Sequence, residues 1–317
     1  MRRRQFIAGL AGTIALPRTS HAQKASRIYR LGHLAATSET EALTRQITLP
    51  ELARHGFVEG RNLIFDARVG ESDSMPALMR ELLAAQPDAV VAIGTALKPA
   101  ATATRTVPVV AFGNDPVVLG LAASYARPGS NVTGVVIAAD ELEAKRLSIL
   151  LETVPNRRRI AALIPALSGA SEIVRKAAAG LGIEVLVFPV AAPSEYPAAF
   201  AAMRAQGAEA LIISALPQFL RDGRQLAGLA LEARLATVCE WAEMARMGCL
   251  IGYGPNRIEL RKRMADQIAQ IFRGVAPGDI PIERPTSFEF ALNLKIAKSL
   301  DLIVPPSVLT RADEVIE

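Results

Sequence analysis

Cysteine is nearly absent: Cys239 and Cys249 are the only two in 317 residues. Two thiols exclude a disulfide-stapled scaffold and a cysteine-rich metal site. Histidine is as scarce, with His21, His33 and His55, and Trp241 is the single tryptophan. No electrostatic case for nucleic acid survives inspection either. The net charge of +5 owes much to Arg2, Arg3, Arg4 and Arg18; setting them aside leaves 32 of 36 basic residues against 31 acidic ones, whereas phosphate backbones demand clustered excess charge. What remains is 50% apolar and 21% charged, a composition that builds one large or two ordinary globular domains.

The first 22 residues read as a signal peptide. Arg2-Arg3-Arg4 form a charged head, Phe6 to Leu16 an apolar stretch of 11 residues, and Ser20-His21-Ala22 a small-x-small cleavage site before Gln23. Eleven residues are too few to span a bilayer, which takes about 20, and no later stretch lacks charges for that long. The paired arginines fit a twin-arginine signal as well as an ordinary Sec head, and no cysteine follows to take a lipid anchor. The mature chain is expected free in a periplasm, beginning at Gln23.

Short Val- and Ile-rich runs then alternate with longer segments of helical period, punctuated by Gly, Pro, Asn and Asp. The pattern predicts strands over 28–34, 63–69, 89–93, 107–112 and 132–137, and a second set over 159–164, 184–190, 210–214, 236–240 and 250–253. Helices are predicted over 39–55, 75–85, 142–153, 171–181, 197–206 and 257–272. Pro50 lies inside the first helix and predicts a kink or break there. Strands apolar on both faces and separated by helices indicate an α/β protein with two doubly wound parallel-sheet lobes, broken between Ile137 and Leu142. The tail reads as a strand over 286–294, a helical turn or two over 295–300 and a stiff Val304-Pro305-Pro306 connection, which pattern alone does not place.

Among catalytic motifs there is no G-x-G-x-x-G after a strand, no P-loop, no G-x-S-x-G, no S-x-x-K and no H-E-x-x-H. No catalytic residue, cofactor or metal site is therefore assigned. What the sequence offers is a set of strand ends running into helix starts. In open α/β sheets ligands bind beyond such ends, so two facing lobes gather His33, Thr95, Asn114 and Asp115 from one side and Leu167, Leu216, Glu240 and Trp241 from the other. Thr95 and Asp115 read equally well as helix caps. His33 is either a ligand contact or a polar surface residue, and His55 is a favourable cation at a helix end. The turn from Ile93 to Ala96 suits a carboxylate. Asp115 or Glu240 suits an ammonium group with Trp241 as an apolar face, or else serves as a cap or ion-pair partner. Cys239 and Cys249 sit at the end of one strand and the start of the next, an offset beyond the roughly 7 Å Cα limit of a disulfide, so both read as buried filler.

Several stretches resemble a known family. These are Gly56-Phe57-Val58-Glu59-Gly60-Arg61-Asn62; Asp115 to Leu121 with Arg127-Pro128-Gly129-Ser130-Asn131-Val132-Thr133-Gly134; Ala144-Lys145-Arg146-Leu147; Tyr253-Gly254; Pro285 to Glu289 with Asn293-Leu294-Lys295; and Val304-Pro305-Pro306 with Arg311 to Ile316. They resemble the periplasmic substrate-binding proteins of ABC transporters, in the group with tryptophan- and tyrosine-binding members. The resemblance implies the type I periplasmic-binding-protein fold, in which two lobes joined by several crossings close on a ligand. It implies lobe 1 over 23–137 and 256–285 and lobe 2 over 138–255 and 286–317. It further implies a non-enzymatic monomer that captures a small molecule, an amino acid or related carboxylate being favoured, and delivers it to a permease and its ATPase. Nucleic-acid partners and membrane insertion of the mature chain are not expected. An exported α/β enzyme acting on a small metabolite and a periplasmic sensor docking on a receptor kinase are the alternatives; a cytosolic transcription regulator is disfavoured because export residues stand where a DNA-binding head would.

Overall fold

The computed structural model describes residues 27–137, 139–166 and 169–317; the expected signal peptide and Leu167 lie outside the described residues. Five strands, β1 (Tyr29–Ala35), β2 (Leu63–Val69), β3 (Ala89–Ile93), β4 (Val109–Gly113) and β5 (Val132–Val136), form one sheet in the order β2-β1-β3-β4-β5. Every pairing in it is parallel. Seven more, β6 (Ile160–Pro165), β7 (Val185–Val190), β8 (Ala210–Ile213), β9 (Ala236–Cys239), β10 (Ile251–Pro255), β11 (Phe288–Asn293) and β12 (Glu314–Ile316), form a second sheet in the order β12-β11-β10-β9-β8-β6-β7. Its β7-β6-β8-β9-β10 part repeats the first sheet's order, and β11 adds antiparallel to β10. The chain is thus α/β with two doubly wound lobes, and the C-terminal tail extends the second sheet.

Central strands such as β3 are buried at all five positions, which is why they read as continuous apolar runs: helices cover both faces, and each enclosed Val or Ile contributes about 1.5–3 kcal/mol. The helix Ala139–Thr153 sends Leu147, Ile149 and Leu150 into the core of the second sheet. The helix Arg257–Phe272 follows β10 yet packs Leu260, Met264, Ala265 and Ile268 against β1, β3 and β4 residues of the first. Asn256 caps it by accepting from the Glu259 N–H at 2.8 Å. A further return runs beside β5, where the Val136 N–H donates to the Glu283 carbonyl and the Glu283 N–H to that of Gly134, both at 2.9 Å.

The helical segment expected to kink or break at Pro50 is irregular there but not interrupted: a π-helical stretch, Thr44–Thr48, precedes the proline, and Leu49 donates to the Thr44 carbonyl five residues back. The wider turn absorbs the proline's steric demand without a gap. Cys239 and Cys249 are disulfide-bonded, with Cα atoms 6.5 Å apart. This corrects the expected offset between a strand's end and the next strand's start: β10 begins level with the end of β9, Ile251 pairing with Val238. The helix Ala242–Met247 ends at Gly248 in the left-handed region (φ +119), and the Cys249 N–H turns back to the Met244 carbonyl, bringing its sulfur to β9.

Candidate functional site

A cavity of about 400 Å³ lies where the carboxyl ends of the two sheets meet. Of the residues expected there, Thr95, Asn114, Asp115, Leu216, Glu240 and Trp241 all line it. From β3 the chain enters a 3₁₀ turn, Gly94–Ala96, with Gly94 at φ +57; a Cβ on Gly94 would come within 3.4 Å of Pro217 in the other lobe, so the lobes nearly touch at this edge. Thr95 caps nothing: its Oγ1 is buried with no partner. Asp115 does act locally. Its Oδ1 accepts from the N–H groups of Val117 and Val118 and its Oδ2 from the Tyr125 hydroxyl, in a run of turns rather than the expected helix. Opposite them, Glu240 and Trp241 leave β9 with only 4% and 5% exposure. They sit tightly on β10, because a Cβ on Gly254 would fall well inside contact distance of the Glu240 carbonyl oxygen.

His33 is not part of this lining. It is fully buried within β1, its Nε2 lies 3.1 Å from Thr44 Oγ1, and burial, then Arg261 and Arg45, lower it to about 3, so it is neutral. The Thr44 hydroxyl donates to the Thr40 carbonyl and accepts from Arg261 Nη1 at 3.0 Å, which assigns the Nε2–H tautomer to His33. Sequence reasoning placed His33 at a strand end, but β1 continues to Ala35.

Two functional candidates escaped the sequence reading: Arg257 and Arg261, one turn apart at the start of the helix that follows β10, both lining the cavity. Arg257 lies over the Trp241 ring at 5.3 Å and pairs with Glu243 at 3.0 Å. Arg261 lies over the Phe112 ring at 4.7 Å, is 1% exposed, and is lowered to about 9 by burial and by the neighbouring Arg257. The available signal was an arginine on the apolar stripe Leu260, Met264, Ile268, where a charge needs a reason. Arg146, from one of the stretches that carried the family resemblance, is fully buried and donates to the carbonyls of Tyr253 (2.9 Å) and Glu240 (3.4 Å). It thereby ties the middle of β10 to the residue that follows β9. Glu240 itself is pushed up to about 7, chiefly by burial, with Arg146 and Arg257 opposing the rise and Glu143 adding to it.

Away from the cleft, Glu51, His55 and Asp266 bring ligand atoms within 4.8 Å of one another. His55 Nε2 meets Asp266 Oδ1 at 2.6 Å there and ties two helices together. Among the described residues no helix is long and apolar enough to cross a membrane.

Over residues 44–316 the sequence matches the family model described as ABC transporter substrate binding protein. Among curated proteins none matches. Solved structures similar to this chain include a conserved domain protein from Vibrio cholerae (22% identity, TM-score 0.83, covering 91% of this chain and all of that one). A domain from Streptococcus pneumoniae described in complex with L-Trp gives 23%, 0.83, 91% and 100% on the same measures. An ABC transporter solute-binding protein from Agrobacterium vitis with bound allitol is more distant, at 13% and 0.58, over 86% of this chain and 98% of that one.

Proposed function

Since the chain belongs to the ABC transporter substrate-binding protein family, we propose that it is a periplasmic solute receptor that captures a small carboxylate-bearing molecule, such as an amino acid, between its lobes and hands it to a permease and its ATPase. The observation that carries this reading is a cavity lined from both sheets' carboxyl ends, a size and position suited to a small ligand. In this reading lobe 1 comprises 23–137 and 256–285 and lobe 2 comprises 138–255 and 286–317, with the crossings near 137, 256 and 285 as hinges. Capture works because only the closed arrangement lets both lobes touch the ligand, which shifts an existing open-closed equilibrium by the difference in affinity. The chain acts as a monomer and performs no chemistry on its cargo.

Export is supported by the Cys239–Cys249 disulfide, since such bonds persist in oxidising compartments. Of the two acids expected to meet an ammonium group, Glu240 is the better placed, because both oxygens of Asp115 already accept from the chain.

A thermal-shift screen against amino acids, aromatic acids, small amides and sugars tests the reading, because a ligand bound only by the folded chain raises its melting temperature. A shift with carboxylate-bearing compounds is the expected outcome; shifts confined to neutral sugars would overturn the ligand class. N-terminal sequencing of secreted protein should begin at Gln23, and an intact Met1 on abundant cytosolic protein would defeat the export assignment.

A further inference from the structure

Arg261 is an anomaly for a stability-driven core. The residue is 1% exposed, its Nε has no partner, and among the described residues no carboxylate forms an ion pair with it. Its contacts are the Thr44 hydroxyl and the Phe112 ring, both neutral. Arg257, one turn earlier, meets Glu243 through Nη2 only, and its Nε and Nη1 are likewise buried without partners. A buried cation without a counter-charge is costly, and a buried donor without an acceptor costs again. Both side chains line the cavity, so an anion entering it supplies the counter-charge that Arg261 lacks.

The two aromatic contacts give the pair its geometry. Phe112 ends β4 in the first lobe and Trp241 follows β9 in the second, and each carries one guanidinium over its face. A guanidinium drawn to a ring face loses part of its freedom to reorient, and its N–H fork matches a carboxylate with two hydrogen bonds. Thr44, set by the π-helical turn, steadies Arg261 from behind. The turn from Ile93 to Ala96, where sequence alone puts the anion, is weaker: it opens a helix of only seven residues, Leu97–Ala103.

We propose that Arg257 and Arg261 are the carboxylate clamp of this cleft, and that the ligand is an acid whose apolar body lies against Ile93, Phe112, Ile137 and Trp241. This rests on the solute-receptor reading above and names the part of the ligand that reading leaves open. Because Arg257 contacts the second lobe through Trp241 and Glu243 while its helix packs on the first, an anion held there is bound at the junction that closure must bring together.

The test uses the chain freed of any co-purified molecule by unfolding and oxidative refolding. Calorimetry then compares matched acid and amide probes: L-tryptophan with L-tryptophanamide, and 3-phenylpropanoate with 3-phenylpropanamide. At least one acid should bind 10-fold or more tightly than its amide, Arg261→Gln should erase that preference, and Arg261→Lys should restore part of it. Should Arg261→Gln fail to fold, Arg257→Gln is judged by the same loss of preference. Equal binding of acid and amide by the wild type, or a folded Arg261→Gln that keeps the preference, overturns the clamp. Binding of sugars or amides alone from the wider screen also overturns it while leaving the receptor standing; binding of nothing overturns both.

Discussion

Glu240 and His33 are buried ionisable residues whose effects on stability run in opposite directions with pH. The Glu240 carboxyl rises from 4.5 to about 7. Between those values the unfolded chain has released its proton while the folded chain still holds it, so stability falls as pH rises through that window, by about 3 kcal/mol. Glu240→Gln removes this dependence. Its urea midpoint relative to wild type should therefore be higher at pH 8 than at pH 4.5, and the same offset at both would refute the assignment. His33 is lowered from 6.5 to about 3. Its neutral form favours folding above 6.5, and that contribution is lost as pH falls toward 3, which makes His33 one source of acid sensitivity. The sequence displayed both residues but not their surroundings, because burial comes from segments remote in the chain: Arg261 lies far from His33, and Arg146 far from Glu240.

At the scale of elements, the stretches that carried the family resemblance turn out to hold the frame. Asn62 accepts from the Val58 N–H at 2.8 Å and donates to the Gly56 carbonyl at 3.0 Å, closing the loop into β2. Asn293 caps the helix Leu294–Ser299, and Asp313 accepts from the Phe290 N–H. Such residues identify a family while saying little of its cargo. Gly254 belongs with them, and Gly254→Ala should cost about 2 kcal/mol or more, since the clash is with backbone that cannot rotate away; a thermal melt and weakened ligand binding would register it, because Glu240 and Trp241 must shift. The disulfide closes a short segment between β9 and β10, a separation of 10 residues. Breaking it should lower stability by about 2–3 kcal/mol, read as the difference in denaturant midpoint between oxidised chain and the Cys239→Ala/Cys249→Ala variant.

For the whole molecule, two lobes joined by several strands of chain are expected to move as bodies about their crossings. Gly94 and Pro217 face each other closely across the cavity lining, and opening of the lobes is expected to separate them. Small-angle scattering of the ligand-free chain should show a larger radius of gyration than the same chain saturated with a compound found by thermal shift. Identical curves would argue against capture by closure, since a ligand shifts the equilibrium only as far as its affinities for the two arrangements differ.

Periodicity and punctuation by themselves determined the order of strands and helices, the two-lobed α/β class and the gathering of strand ends such as Thr95 and Trp241. These depend on local sterics and on apolar faces, both written along the chain. Only the tertiary structure decided which lobe receives the helix Arg257–Phe272, that Cys249 folds back onto Cys239, and that Arg257 and Arg261 turn into the cleft while His33 turns away. The physical reason is the same in each case. A strand reports its burial by period, but the partner of a buried charge or thiol is chosen by packing between segments far apart in sequence, and no local pattern encodes that choice.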